Sequence, residues 1–182
     1  SYEFLGIIDF IRAKAKFAER IEAIVPELYD EPSCRWLEAR HPLLYLHHKA
    51  QGREIVPLTI EFAPEQRIVI ISGPNAGGKS VCLQTVGLVQ YMLQCGLPVP
   101  VKEGSRMGFF HNIFLDLGDE QSIENDLSTY SSHLTNMKFF VRNADGRSLI
   151  LIDEFGTGTE PMIGGAIAES VLEQLNRQGV FG

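Results

Sequence analysis

The sequence has little positive charge. Its 182 residues include 16 Lys and Arg against 23 Asp and Glu, which leaves a formal net charge of −7. Non-specific affinity for nucleic acid comes mainly from Lys and Arg contacts to phosphates, so an acidic chain is a poor DNA clamp by itself. We expect this chain to bind duplex DNA weakly. If the whole protein binds DNA, we expect its other segments to hold the DNA.

Long apolar runs and a secretory leader are also missing. No hydrophobic stretch reaches the roughly 18 residues that a membrane span needs. The first residues show no basic stretch followed by an apolar core. We therefore predict no membrane partner and a cytoplasmic location. The chain also lacks an initiator Met, so we expect a processed or excised piece of a longer protein.

Cysteine is scarce. Cys34, Cys82 and Cys95 are the three cysteines, and they form no Cys-x-x-Cys pair. This spacing favours reduced, partly buried thiols in a cytosolic protein over a disulfide or a zinc site.

Hydrophobic spacing divides the chain into an N-terminal helix and an α/β region. Residues 4–25 place apolar side chains three or four apart, which predicts an amphipathic helix ending near Pro26. From Arg35 onward, short β-rich runs alternate with helical segments. We predict an N-terminal connector over residues 1–34 and an α/β domain over residues 35–182, with a mostly parallel sheet flanked by helices.

The α/β region contains the following predicted elements. Strands are predicted at 55–62, 67–71, 113–117 and 148–152, with another beginning at 179–182. Helices are predicted from the glycine-rich segment through about Cys95, at 134–142 and at 161–177. The run 148–152 is continuously apolar, as expected of a parallel strand covered on both faces.

A complete Walker A pattern lies between a predicted strand and a predicted helix. It reads Gly73-Pro74-Asn75-Ala76-Gly77-Gly78-Lys79-Ser80, followed by Val81. Such a glycine-rich turn lets backbone N–H groups curl around phosphate oxygens, and the helix that follows adds its positive end. Lys79 is predicted to reach the β- and γ-phosphates of ATP, and Ser80 to ligate Mg²⁺. A chance glycine-rich turn is the alternative, and the strand–helix context weighs against it.

A Walker B pattern follows further along the chain. The apolar run 149–152 leads into Asp153 and Glu154. The carboxyl edge of a parallel sheet is where α/β proteins bind ligands. Asp153 is predicted to hold Mg²⁺, directly or through water, and Glu154 to polarise the attacking water. Alone, two carboxylates after a strand are most often solvated; the upstream Walker A changes that reading.

A third segment, 127–134, lies between the two Walker patterns. By composition it is a polar loop whose serine caps a helix. Its position matches the signature helix of ABC-type ATPases, which points at the nucleotide of a partner subunit. A serine at a helix N-terminus also suits contact with a γ-phosphate. We therefore predict that Ser128 contacts ATP.

These segments together resemble the MutS ATPase. The matching runs are Gly73–Ser80, Leu127–His133 and Asp153–Thr159, and Glu38–Leu44 is similar to the segment that precedes this ATPase. The N-terminal helix is similar to the end of the family's lever region. The run Gly118–Glu124 and the residues Ser131–His133 resemble the second bacterial MutS branch, which lacks the mismatch-sensing domains. Mismatch-repair members carry an acidic residue where this chain has His133, which weighs against a mismatch-repair role.

The resemblance implies a homodimer with two composite ATP sites. Each site would combine Lys79 and Glu154 of one subunit with Ser128 of the other as its catalytic groups. The family's D-loop maps to residues 156–161, and its adenine-binding region falls near His41 and Ile55. The family's Thr-His switch has no counterpart before the chain ends, so we expect a truncated domain with weak or no turnover.

ATP-driven closure of a dimer, in a MutS-like protein of DNA repair or recombination control, is the function we predict. In the second branch the whole protein is associated with branched DNA, recombination control and, in some cases, collided ribosomes. One alternative is the nucleotide-binding domain of another ABC-type ATPase, of the transporter or structural-maintenance class. The absence of a Leu-Ser-Gly-Gly-Gln signature disfavours a transporter. Another alternative is a dimerisation module that binds ATP without hydrolysis.

Overall fold

The computed structural model describes residues 2–73, 78–117, 126–153 and 160–182, with the backbone alone for residues 126–130. In these ranges the chain is a mixed α/β protein with five helices and small sheets. It forms two compact units. The first comprises residues 1–61 and 84–109, and the second comprises residues 62–83 and 110–182. The boundary predicted after residue 34 stays a prediction.

The first unit is built around a four-stranded sheet. Its elements are α1 (Tyr2–Ile21), β1 (Glu27–Tyr29), β2 (Cys34–Ala39), α2 (Pro42–Ala50), β3 (Leu58–Phe62), the later part of α3 (Lys79–Gln94), and β4 (Arg106–Gly108). The strand order is β1-β4-β2-β3. β4 runs parallel to β1 and antiparallel to β2, with Cys34 opposite Met107. Trp36, which is 1% exposed, is among the largest side chains buried here.

Helix α1 is shorter than the sequence predicted. It ends at Ile21, not near Val25, because Glu22 adopts a left-handed φ of 52° that leaves the helical path. The side chain of Arg40 donates to the backbone carbonyl of Glu22 at 3.2 Å and holds this turn. Two residues later, Ile24 is already bridged to Val99. The predicted helix over 4–25 is therefore wrong in its last turn.

The second unit contains a pair of parallel strands between helices. β5 (Asn112–Asp116) pairs with β6 (Ser148–Ile152), with Asn112 opposite Ser148. α4 (Asp126–Asn143) precedes β6 in the chain, and α5 (Pro161–Arg177) follows it. The core of this unit consists of six buried residues: Met137, Phe140, Ala144, Ile150, Leu175 and Val180. Phe114 packs against this cluster from β5.

Two more segments extend the parallel pairing. Phe181 forms a parallel bridge with Leu149 of β6. Gly182 then bonds to the segment that leads into the glycine-rich turn: its N–H donates to the carbonyl of Arg67 at 2.9 Å, and its carbonyl accepts from Val69 at 2.8 Å. A Cβ on Gly182 would overlap the carbonyl oxygen of Ile150, which explains glycine at this position. The mostly parallel sheet predicted for the whole domain remains a prediction.

The longer predicted elements agree well with the structure. β6 and α5 are confirmed at their predicted bounds, and β5 is confirmed one residue earlier. α3 ends at Gln94, followed by Gly96 with a φ of 71° as its stop.

Other element predictions are wrong. β3 starts at Leu58 instead of Ile55, and residues 67–71 form no regular strand. α4 starts at Asp126 instead of Leu134. The sequence reasoning missed four elements, namely β1, β2, β4 and α2.

No helix within the described part of the chain combines the length and apolar character required to cross a bilayer.

Candidate ATP site

The glycine-rich turn opens directly into α3. Gly78 precedes the helix with a φ of 82°, a left-handed conformation that favours glycine even though a Cβ there would meet nothing within 4 Å. Lys79 is the first residue of α3, and its ammonium donates to the carbonyl oxygen of Gly73. The side chain is therefore folded back toward the turn. Residues 74–77, predicted to surround phosphate, lie outside the described residues.

The first turn of α3 holds the other predicted phosphate-side residues. Ser80 is half-buried, and Val81 is 39% exposed. The N–H of Cys82 donates to the carbonyl of Gly78 at 2.9 Å, which closes the first turn. Burial raises the pKa of the Cys82 thiol, so this cysteine stays protonated and serves as a packing residue.

The carboxyl edge of the strand pair carries two neighbouring acidic residues. Asp153 comes directly after β6 and is 9% exposed. Its backbone N–H donates to the carbonyl of Asp116, the last residue of β5, at 2.9 Å. The structure thus brings a predicted magnesium ligand to the edge where ligands bind in α/β folds. Glu154, the predicted base, lies outside the described residues.

Asp116 is a residue that the sequence reasoning missed. Its side chain is 6% exposed and lies against α4. One carboxylate oxygen accepts from Nδ1 of His133 at 2.6 Å, and the other accepts from the Asn136 amide at 2.9 Å. Because the carboxylate accepts, Nδ1 of His133 carries the proton in this contact. A usable signal was present, because the predicted strand 113–117 also carries an aspartate close to its carboxyl end.

The signature segment is helical from Asp126 onward, so Ser128 lies in the first turn of α4. Its side chain, and residues 118–125, lie outside what the structure describes. A first-turn position leaves the backbone N–H groups there without partners inside the helix. Contact between Ser128 and a nucleotide stays a prediction.

The predicted adenine contacts lie in the first unit. His41 is the N-cap of α2, and its Nδ1 accepts from the N–H of Leu44 at 3.3 Å. Burial lowers the pKa of His41, which agrees with a neutral ring that accepts at Nδ1. Ile55 is half-buried in the segment before β3. These observations give His41 a capping role, and contact of His41 and Ile55 with adenine stays a prediction.

The donor set suits ATP with magnesium. Mg²⁺ prefers oxygen ligands, and it usually takes only one or two carboxylates from the protein beside phosphate oxygens and water. Asp153 and the Ser80 hydroxyl are donors of this kind. Within the described ranges, no group of three or more His, Cys, Asp and Glu side chains is arranged to hold a metal ion.

Comparison with known proteins finds a family and several relatives that this chain resembles. Residues 69–180 match the protein family MutS domain V. The chain is similar to proteins named Endonuclease MutS2. It is 45% identical to that of Enterococcus faecalis over 177 residues, which is 97% of this chain and 22% of the relative. It is 45% identical over 179 residues to that of Pelotomaculum thermopropionicum, which is 98% of this chain and 22% of the relative.

A third relative shows the same proportions. The Endonuclease MutS2 of Geobacillus kaustophilus is 44% identical over 177 residues, 97% of this chain and 22% of the relative. The chain thus spans about a fifth of the length of these relatives, so most of each relative has no counterpart here.

Proposed function

This chain belongs to the MutS family, as the matched domain and relatives show, and we propose that it is the ATP-binding and ATP-hydrolysing domain of a MutS-like DNA-binding protein. The proposal rests above all on Lys79. This lysine opens α3 and turns its ammonium back onto Gly73, into the turn that would surround the phosphates. When ATP binds, the Lys79 ammonium would leave the Gly73 carbonyl and donate to phosphate oxygens instead.

We assign the remaining nucleotide contacts by position. Backbone N–H groups of residues 73–78 and the N-terminus of α3 would bind the phosphates, together with Val81 at the first turn. Ser80 and Asp153 would hold Mg²⁺, which neutralises charge on the β- and γ-phosphates when bound. His41 and Ile55 would lie near the adenine.

Hydrolysis is proposed to need two subunits. Glu154 would orient the attacking water, and Lys79 would stabilise charge on the γ-phosphoryl group. Ser128 of the partner subunit would complete the site from the first turn of its α4. ATP would then join two such domains, and hydrolysis would release them. The placement of Ser128 in a first helical turn supports this arrangement, because N–H groups there favour an anion.

DNA is the proposed partner of the whole protein. The matched relatives are named endonucleases, and this chain covers about a fifth of them. With a net charge of −7, it is a poor surface for phosphates. We therefore assign DNA contact to other parts of the protein and a cytoplasmic role in recombination control or repair. Residues 1–34 would link the ATPase to those parts.

A direct test is Lys79→Ala, measured by calorimetry with ATP and Mg²⁺. The loss of one charged hydrogen bond should weaken ATP binding by at least about 1.5–3 kcal/mol. Lys138→Ala is the matched control, because Lys138 is an exposed lysine of the same unit on α4. Unchanged ATP affinity in Lys79→Ala would contradict the assignment, and so would an equal loss in both variants.

A further inference from the structure

Within one subunit, Asp116 forms hydrogen bonds both to Asp153 and to the signature helix α4. Its backbone carbonyl accepts from the N–H of Asp153, the proposed magnesium ligand, at 2.9 Å. Its carboxylate accepts from His133 at 2.6 Å and from Asn136 at 2.9 Å, both on α4. One residue at the end of β5 therefore bonds to the magnesium side through its backbone and to the signature helix through its side chain.

The helical contacts of Asp116 are well placed to fix α4. His133 and Asn136 are three residues apart, so they lie on the same face of the helix. Ser128 is five residues before His133, which corresponds to about 7.5 Å along the axis. The carboxylate is 6% exposed and the His133 side chain 19%, so water competes little for these bonds. A shift at His133 would be carried along the rigid helix to Ser128.

We propose that Asp116 is a positioning residue that sets where α4 presents Ser128 to the ATP bound by the partner subunit. This inference rests on the proposed composite ATP site. The carboxylate bonds to α4, and α4 is proposed to face the ATP of the partner subunit. Asp116 would therefore act on the ATP site of the partner. Through its backbone bond to Asp153, Asp116 would also respond when Asp153 of the same subunit binds or releases Mg²⁺. Asp116 would thus couple the two ATP sites of a dimer.

Mixed dimers separate this role from simple stabilisation. In the intact protein, a Lys79→Ala subunit paired with a wild-type subunit keeps one working site, which takes its α4 from the Lys79→Ala subunit. Two tags allow such dimers to be purified. Asp116→Asn is placed either on the Lys79→Ala subunit or on its partner, and phosphate release is measured for each dimer. Asparagine keeps the backbone bond to Asp153 in both arrangements.

We expect the two arrangements to differ. With Asp116→Asn on the Lys79→Ala subunit, the working site receives the altered helix, and kcat should fall roughly tenfold or more with little change in KM. With Asp116→Asn on the partner, the working site receives an unaltered helix and should keep most of its kcat. Equal turnover in the two arrangements, whether reduced or intact, would overturn the inference.

Variants of His133 give a second reading. Each variant is placed on the Lys79→Ala subunit. His133→Leu removes the donor to Asp116 and should lower kcat. In His133→Asn the side-chain amide can occupy the place of Nδ1, so kcat should stay close to that of the unaltered helix. If the two variants have equal kcat, the bond to Asp116 has no positioning role. Asp145→Asn, at the opposite end of β6, should leave kcat unchanged in both arrangements, and a loss there would also overturn the inference.

Ser128→Ala distinguishes failure of the inference from failure of the proposed function. Placed on the Lys79→Ala subunit, it should abolish turnover at the working site. If it does so while Asp116→Asn has no effect, the composite site stands and the positioning role of Asp116 is refuted. If neither substitution has an effect in this arrangement, the composite site is refuted, and the inference falls with it.

Discussion

The two ends of the β5–β6 pair both carry a hydrogen-bonded aspartate, but the bonds differ in reach. At the amino end, Asp145 is exposed and accepts from the backbone N–H of Arg147 and the hydroxyl of Ser148, both at 2.9 Å. At the carboxyl end, Asp116 is buried and accepts from His133 and Asn136, which lie 17 and 20 residues away. The first arrangement closes a turn, and the second joins a strand to a helix.

This difference separates an acidic residue that shapes the backbone from one that organises a site. Local partners come with the turn and can be replaced at a small, local cost. Distant partners exist only after folding and fix the relative positions of two elements. Substitutions at the two ends should therefore have effects of different kind, on turnover at the carboxyl end and on stability at the amino end.

Glu154→Gln in the intact protein should give the largest effect. Glu154 follows Asp153 in the chain, and loss of a general base typically slows a reaction by about a hundredfold or more. ATP binding should persist, because Lys79 and the proposed magnesium ligand Asp153 remain. Phosphate release and ATP affinity are measured on the same samples. Glutamine at position 154 with undiminished turnover would remove Glu154 from the mechanism.

Truncation gives a related prediction. The 182-residue chain alone should bind ATP but release phosphate slowly, because the proposed site requires a dimer and the chain spans only about a fifth of its matched relatives. A longer form that extends past Gly182 should be faster. Equal phosphate release by the short and long forms would contradict this expectation.

Asp153→Asn should have an intermediate effect. Loss of the carboxylate charge weakens the proposed hold on Mg²⁺, so ATP affinity in the presence of Mg²⁺ should fall roughly tenfold or more. Affinity measured with EDTA should change little, since Asp153 is proposed to act on the nucleotide only through the metal. A similar loss in both conditions would mean that Asp153 acts on folding instead of on the metal.

Asp145→Asn should give the smallest effect, and only on stability. Hydrogen bonds from Arg147 and Ser148 hold the pKa of Asp145 below its ordinary value of 3.8. A lowered pKa in the folded state stabilises the protein above the unfolded-state pKa, and this contribution is lost as the pH falls through the folded-state pKa. We expect a loss of less than about 1 kcal/mol at pH 7, measured by urea unfolding, because asparagine keeps an oxygen acceptor and solvent screens the exposed charge.

The difference from the wild type should shrink as the pH falls below 3.8 and through the lowered pKa of folded Asp145, because the wild-type carboxyl then becomes protonated. Turnover of the intact protein should be unchanged. A difference in unfolding free energy that stays constant with pH would show that the charge on Asp145 does not stabilise this turn.

Sequence patterns predicted the elements whose signals are local. β6 is a continuous apolar run, α5 begins at Pro161, and α3 stops before a left-handed Gly96, so each element carries its own boundary signal. β2 and β4 pair across about seventy residues, as in Cys34 opposite Met107. Neither β2 nor β4 carries a boundary signal in its own sequence, because each strand is stabilised by pairing with the other.

The site follows the same division. The Walker patterns are contiguous, so Lys79 and Asp153 could be assigned from the sequence, and the structure places them at a helix start and a strand end. Asp116 has partners on a helix that starts ten residues further on, at Asp126. No spacing rule links a strand-ending aspartate to a histidine 17 residues away, so this pair required the folded chain.

Gly182 sets a practical limit on how this domain can be shortened. Its peptide group bonds to Arg67 and Val69, and its neighbour Phe181 bonds to both Ser148 and Ile150. Deleting residues 179–182 would remove these hydrogen bonds from residues 67–69, the segment before the glycine-rich turn. A C-terminal tag joined directly to Gly182 would lie next to this hydrogen-bonded backbone and crowd it. Residues 179–182 should therefore be kept in any shortened form of this domain, with the tag placed at the other terminus.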